Sequence, residues 1–316
     1  MSSRIVSAAR GRVADPATGP ARNRRRARTR GLTLLIPAAV VIAPFLLVIA
    51  GLGVWMSVHG ERLNVTGSAD TFVGLDNYVR AFSDATLRQS ILVTLVYVVA
   101  AVAVEMVVGV GIALLMRRRF PGKGIVRALM LIPMVLTPVV AALTWRLLMD
   151  PTSGTLNWIL AGLGLGGDHA FLSDPRTALP AVILVDIWQN TPYVIIIVLA
   201  GLESLDPAPF EAASLDGAAG WTMLRHMTLP MLRPVIAIAM LLRTIDAAKT
   251  FALIQTMTRG GPGTSTMAIS NYVYRTGFQV FDIGYSTALA LLTSVALVVV
   301  IFPAARRMLG LGKEAS

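Results

Sequence analysis

Apolar residues run almost unbroken through six stretches, near Leu32–Met56, Ser90–Met116, Ile125–Met149, Ala178–Leu202, Leu232–Met257 and Gly284–Leu309. Each is long enough to supply the roughly 20 residues that a helix needs to cross hydrocarbon. Strands of a membrane barrel would instead alternate over segments of about ten residues. The pattern therefore predicts an all-α membrane protein, a six-span polytopic helical bundle. Prolines fall inside the spans at Pro37, Pro44, Pro133, Pro138, Pro192 and Pro303, where neighbouring helices can satisfy the freed carbonyls. Before the second span, Phe72, Leu75, Tyr78, Val79 and Phe82 recur at helical spacing and predict a short interfacial helix. Pro151–Asp168 is rich in glycine, and Arg259 opens a Gly-Gly-Pro-Gly-Thr-Ser-Thr run that reads as a turn.

The connection between the fourth and fifth spans has a pattern of its own. Asp206-Pro207 is a cap and first-turn pair, because the carboxylate can accept an orphan N–H and proline loses nothing there. A helix from Pro207 to about Leu215 follows, with Glu211 near its positive end. Asp216-Gly217 breaks it, since glycine reaches a left-handed conformation cheaply. A second short helix is expected over Ala218–Met227, presenting Trp221 and Leu224, with Leu229-Pro230 ending it and turning the chain into the fifth span. Ala212, Ala213, Ala218 and Ala219 offer a low surface that another protein can approach.

Composition adds sidedness. The chain has 55% hydrophobic residues, a mean hydropathy of +0.69 and a formal charge of +11. Its cations are not spread evenly. They crowd the N-terminal tail, the Arg117–Arg127 segment, the fourth-to-fifth loop and the C-terminus, while the alternate loops roughly balance bases with acids. This positive-inside asymmetry puts both termini and the Glu211–Pro230 loop in the cytoplasm of a cell-membrane protein. It also accounts for the charge without nucleic acid. The basic tail is expected to be disordered and drawn to anionic lipid. The first apolar run is longer than a signal peptide's and reads as a retained anchor.

Enzyme chemistry finds little footing. The chain lacks cysteine, and His59, His169 and His226 lie in three separate segments, so no metal site is expected. Pro121-Gly122-Lys123-Gly124 imitates a phosphate loop but has no hydroxyl residue after the lysine, and Arg117 stands where the first glycine belongs. Charges inside the spans are fewer and more telling: Glu105, Asp186, Arg243, Asp246 and Lys249. Asp246 lies three residues from each of Arg243 and Lys249, so the acid can pair with either base along one side of the helix. Trp188, Gln189, Asn190 and Tyr193 combine flat apolar faces with amide donors and acceptors, a mixture suited to sugars. The same amides also serve helix contacts in membrane bundles.

Glu211-Ala212-Ala213, Gly217, Met227 and Leu229-Pro230 match the pattern EAA, three residues, G, nine residues, I, one residue, LP, with methionine in place of isoleucine. The loop resembles the EAA loop of permease subunits of binding-protein-dependent ABC importers. FVGLDNYVRAF, Arg243-Thr244-Ile245-Asp246, GGPGTST and Tyr285–Ala290 extend the resemblance to the carbohydrate-type branch, over about residues 32–309. It implies a bundle of the type I importer permease kind. Residues 1–31 and 310–316 would be cytoplasmic tails, 32–88 the first span and outer loop, and 89–309 the permease core containing the coupling loop 203–230. It further implies ATPase coupling through Glu211, Ala212, Ala213, Asp216, Gly217, Met227, Leu229 and Pro230, by helix-in-groove docking. Implied partners are a second homologous permease, two ATPase subunits that hold the ATP and Mg, an extracytoplasmic binding protein, and a sugar, polyol or glycerol phosphate as cargo. No cofactor is expected on this chain. The candidate pathway residues are Asp186, Trp188, Gln189, Asn190, Tyr193, Arg243, Asp246 and Lys249. An ion-coupled secondary transporter, with the intramembrane acids as coupling sites, is the alternative. It leaves the loop without a role.

Overall fold

A computed structural model describes residues 21–308 apart from 63–66, 68–70 and 118–119. Among the described residues five helices are long and apolar enough to cross a membrane, or six when a bent pair is counted as one span. The chain divides into two compact units, Met1–Leu52 and Gly53–Ser316.

The first unit carries most of α1 (Ala21–Ser57), with Pro37 and Pro44 inside the helix. The helix begins at Ala21, within the stretch that composition marks as a disordered tail; residues 1–20 lie outside the described residues. Apolar side chains such as Val41, Phe45 and Leu47 are exposed along it, as suits a helix meant for a non-aqueous surrounding.

The second unit is built around α3 (Ala85–Met116), α7 (Ala178–Glu203) and α10 (Leu229–Ala248). In lipid, apolar surface alone gives helices little reason to associate, so close approach through small residues matters. A Cβ on Gly109 would lie 2.7 Å from Val194, where α3 meets α7, and one on Gly201 would lie 2.7 Å from Val235, where α7 meets α10. Tyr97, Met106, Val185, Val198 and Leu232 fill the buried core between these helices.

The third span differs from a continuous helix. It is α4 (Lys123–Val135) followed by α5 (Pro138–Leu148), bent by 95°. Pro138 causes the break: it pushes Thr137 into extended geometry (ψ 146°). Gln189 Nε2 on α7 donates to the freed Leu136 carbonyl at 2.9 Å, so the kink is held by a hydrogen bond across the bundle.

The fifth span is also shifted. It stops at Ala248 rather than Met257, and a separate helix α11 (Ala252–Met257) follows. At its start, Leu229-Pro230 does not end a helix. A four-residue α9 (Gly220–Met223) passes through a π turn (Leu224–Thr228) straight into α10. The Leu229 N–H reaches back to the Leu224 carbonyl. Widening the ladder just before Pro230 accommodates a residue that has no N–H to give.

The opposite end is assembled from short pieces. The helix expected near Phe72–Phe82 is α2 (Asp76–Ser83), and Gly74 (φ +57°) turns the chain into it. α6 (Thr155–Gly162) lies in the loop after α5. The glycine-rich run is a turn as expected, with Gly260 and Gly263 at positive φ and Thr266 Oγ1 donating to the Gly261 carbonyl at 2.7 Å. It leads to α12 (Ile269–Phe278) and α13 (Ile283–Met308). Asp84 knots this end together. Its Oδ1 accepts from the N–H groups of Thr86 and Leu87, capping α3, and its Oδ2 accepts from Tyr272 and Tyr285 on α12 and α13. Burial pushes this carboxyl's pKa up, but the four hydrogen bonds outweigh it and the net displacement is downward.

Candidate functional site

Two constellations carry the chemistry. The first is the loop after α7. Asp206 Oδ1 accepts from the Ala208 N–H at 3.0 Å, and α8 runs from Ala208 to Leu215, with Pro207 as its cap. The helix stops at Asp216, and Gly217 adopts φ +83°. Gly220, at φ +53°, makes a second bend at the start of α9, one that no expectation from the sequence marked.

Most of the loop's matching residues face solvent. Glu211, Ala212, Asp216 and Gly217 are exposed, Ala213 and Met227 partly so, and Leu229 and Pro230 sit half-buried where the chain joins α10. The Glu211 carboxylate makes no hydrogen bond among the described residues. Leu215 is 89% exposed and Trp221 70%, so the loop displays large apolar side chains around the Gly217 bend. Beneath it, Phe210 is buried against the guanidinium of Arg117, 4.7 Å from the ring centroid. That contact ties α8 to the end of α3. The sequence gives Arg117 no partner; a lone buried-type aromatic beside the EAA triplet was the available signal.

The second constellation is an ion cluster inside the bundle. Arg243 on α10 is 1% exposed. Its Nε and Nη2 donate to the two carboxylate oxygens of Glu105 on α3, at 2.6 and 2.8 Å. Nη2 also reaches Asp186 on α7 at 2.9 Å, and Nη1 reaches Asp246 at 2.6 Å. The hub is thus the arginine, not Asp246. Its planar fork can meet several carboxylates at once, which a single acid between two bases on one helix cannot match. Lys249, exposed past the end of α10, belongs to none of the ion pairs found among the described residues. Glu105 was legible as an intramembrane acid. Its pairing was not, because α3 and α10 are far apart in sequence.

The expected sugar-facing quartet separates into different tasks. Asn190 Nδ2 donates to Asp186 Oδ1 at 2.8 Å, supporting the cluster. Gln189 is buried at the α4–α5 kink. Trp188 stands edge-on to Trp145 with centroids 5.5 Å apart, and Tyr193 is only partly buried. Asp246 is different, for its side chain is 73% exposed while one oxygen stays fixed by Arg243. An open carboxylate on a membrane-spanning helix cannot face hydrocarbon cheaply. Its free side must meet water or a polar partner.

Comparison with known proteins places the whole chain. The chain is 42% identical over 270 residues to the probable ABC transporter permease protein y4oQ of Sinorhizobium fredii, covering 84% of this chain and 87% of that one. It is 34% identical over 265 residues to the trehalose/maltose transport system permease protein MalF of Thermococcus litoralis, covering 84% and 88%. A permease chain in the crystal structure of a bacterial ABC transporter involved in the import of the acidic polysaccharide alginate shares the fold, with a TM-score of 0.77 and 24% identity over 92% of this chain and 100% of that one. Residues 105–310 match the family described as binding-protein-dependent transport system inner membrane component, and to that family this chain belongs.

Proposed function

We propose that this permease subunit forms half of the translocation pathway of an ATP-driven importer for a sugar or a related polyol or glycerol phosphate. ATP hydrolysis in such systems falls to a separate subunit, and the ion-coupled alternative has no support. In our reading the other half of the pathway is a homologous permease. Two ATPase subunits binding ATP and Mg engage the Glu211–Pro230 loop in the cytoplasm, and an extracytoplasmic binding protein delivers the cargo. Closure of the ATPase pair would move α8 and α9, and through α10 and the Arg117–Phe210 contact would tilt the bundle between inward-facing and outward-facing states.

The observation that carries the pathway reading is the exposed Asp246 carboxylate, pre-oriented by a buried guanidinium. A carboxylate so held can accept hydrogen bonds from adjacent hydroxyls, which suits a polyhydroxylated cargo. Support for a sugar comes from the relatives, one of which is a trehalose/maltose permease.

The test is uptake in proteoliposomes containing the whole complex and its binding protein, with neutral disaccharides compared against amino acids. Asp246→Asn should abolish sugar uptake while leaving assembly and basal ATP hydrolysis in place. Full uptake by that variant would remove Asp246 from the route. Uptake of amino acids in preference to sugars would remove the cargo class.

A further inference from the structure

At the end of the bundle where α3 and α13 begin, a collar of large apolar side chains is left exposed among the described residues. On and just before α2, Phe72, Leu75, Val79 and Phe82 are all exposed, Phe82 to 80%. The other side of the same helix is fixed in place. Asn77 Nδ2 donates to the carbonyls of Ser57 and His59 at 2.9 and 3.2 Å, and Tyr78 and Ser57 share a hydrogen bond of 2.7 Å. Arg80 pairs with Asp282 at 2.7 Å, and its guanidinium lies 3.9 Å above the Tyr285 ring. The helix is therefore docked through Asn77, Tyr78 and the small Ala81 and displays its large apolar side chains, the reverse of a helix covering a water-soluble core.

The turn between α12 and α13 adds to the collar. Phe278, Val280 and Phe281 are exposed there, and Phe281 has φ +63°, a left-handed conformation that a bulky residue seldom adopts. Its neighbour Asp282 is the partner of Arg80, so the two aromatic groups are joined by one ion pair.

We propose that this collar is an anchor in the headgroup–acyl boundary of the bilayer, with lipid as its occupant. Continuity favours lipid. Only Asp84 separates α2 from α3, whose first turns carry the exposed Ile91, Leu92 and Leu95. Charge agrees as well, because the exposed Arg88 stands in that first part of α3 where lipid phosphates would lie. Aromatic rings with a short amphipathic helix are the usual means of fixing depth at such a boundary. The anchor would hold the outer ends of α3 and α13 at constant depth while the cytoplasmic ends respond to the motor. It requires no particular cargo, so it stands apart from the sugar assignment.

The chain has no cysteine, which makes spin labelling direct. Val79→Cys, Phe82→Cys and, as a control at an exposed polar position, Asp76→Cys would each carry a nitroxide in the assembled complex. The complex would sit in nanodiscs of phosphatidylcholine and phosphatidylglycerol. Labels at 79 and 82 should collide readily with oxygen and lose collisions with a water-soluble nickel chelate, and the label at 76 should show the reverse. Nickel collisions at 79 and 82 equal to those at 76 would mean a water-exposed patch and overturn the proposal. Protection from both reagents, before or after adding the binding protein, would mean a protein partner and overturn it too.

Discussion

Arg243 is the residue on which the bundle's interior electrostatics turn. Three helices contribute charge to it, and it is nearly sealed from solvent. A buried ion pair is weak evidence of net stability, but removing one partner leaves a stranded charge and costs about 3–5 kcal/mol. Glu105→Gln keeps the shape while turning an acceptor into an N–H facing the guanidinium. Arg243→Lys keeps the charge but loses the fork. Both should lower the yield and thermal midpoint of the assembled complex by more than Asp246→Asn does, because Asp246 can be solvated and its loss leaves Arg243 with two acids. Equal thermal midpoints for the three variants would show that the cluster does not bind the helices together.

Among the elements, α8 depends on its stop signal. Gly217 sits at φ +83°, and a Cβ there would meet nothing within 4 Å, so the penalty for Gly217→Val is conformational and not a clash. Left-handed geometry costs an L-residue about 1–2 kcal/mol, and relief of that strain would swing Leu215 and Trp221 out of register. The variant should insert and pair normally yet lose cargo-stimulated ATP hydrolysis in the reconstituted complex, with Glu211→Ala a milder case. Unchanged stimulation would sink the pivot idea. The knot at α2, α3, α12 and α13 makes a pH prediction. Asp84 is displaced downward from 3.8, so its contribution is present above that value and fades as pH falls below it. Burial, with the hydrogen bond to Asp84, raises Tyr272 from 10.0 to about 12, so its share is present below pH 10 and lost on the way to about 12. The thermal midpoint of the assembled complex should fall at both extremes, and Asp84→Asn should flatten that dependence. The same pH dependence in Asp84→Asn would mean that the knot does not titrate.

For the whole molecule, the arginine distribution makes a prediction about orientation. We expect single cysteines near residues 160 and 265 to react with an impermeant reagent from outside sealed cells, and one near 215 to stay protected. External labelling at 215 would invert the topology and with it the docking side of the coupling loop.

The apolar spans and the helix–break–helix shape of the loop after α7 follow from the chain's own order, because each is a local property: a run of apolar residues, a cap followed by a glycine. The bend at Leu136–Thr137 was half legible, for Pro138 announces a break but not its angle. Tertiary structure alone decided the rest. It paired Glu105 with Arg243 across 138 positions, tied Gln189 to the kink, and stacked Arg117 on Phe210. Those outcomes depend on which helix faces meet. In a bundle whose spans are apolar on nearly every side, hydrophobic pattern cannot say which faces those are. Small-residue approach and the need of each buried charge for a partner make that choice.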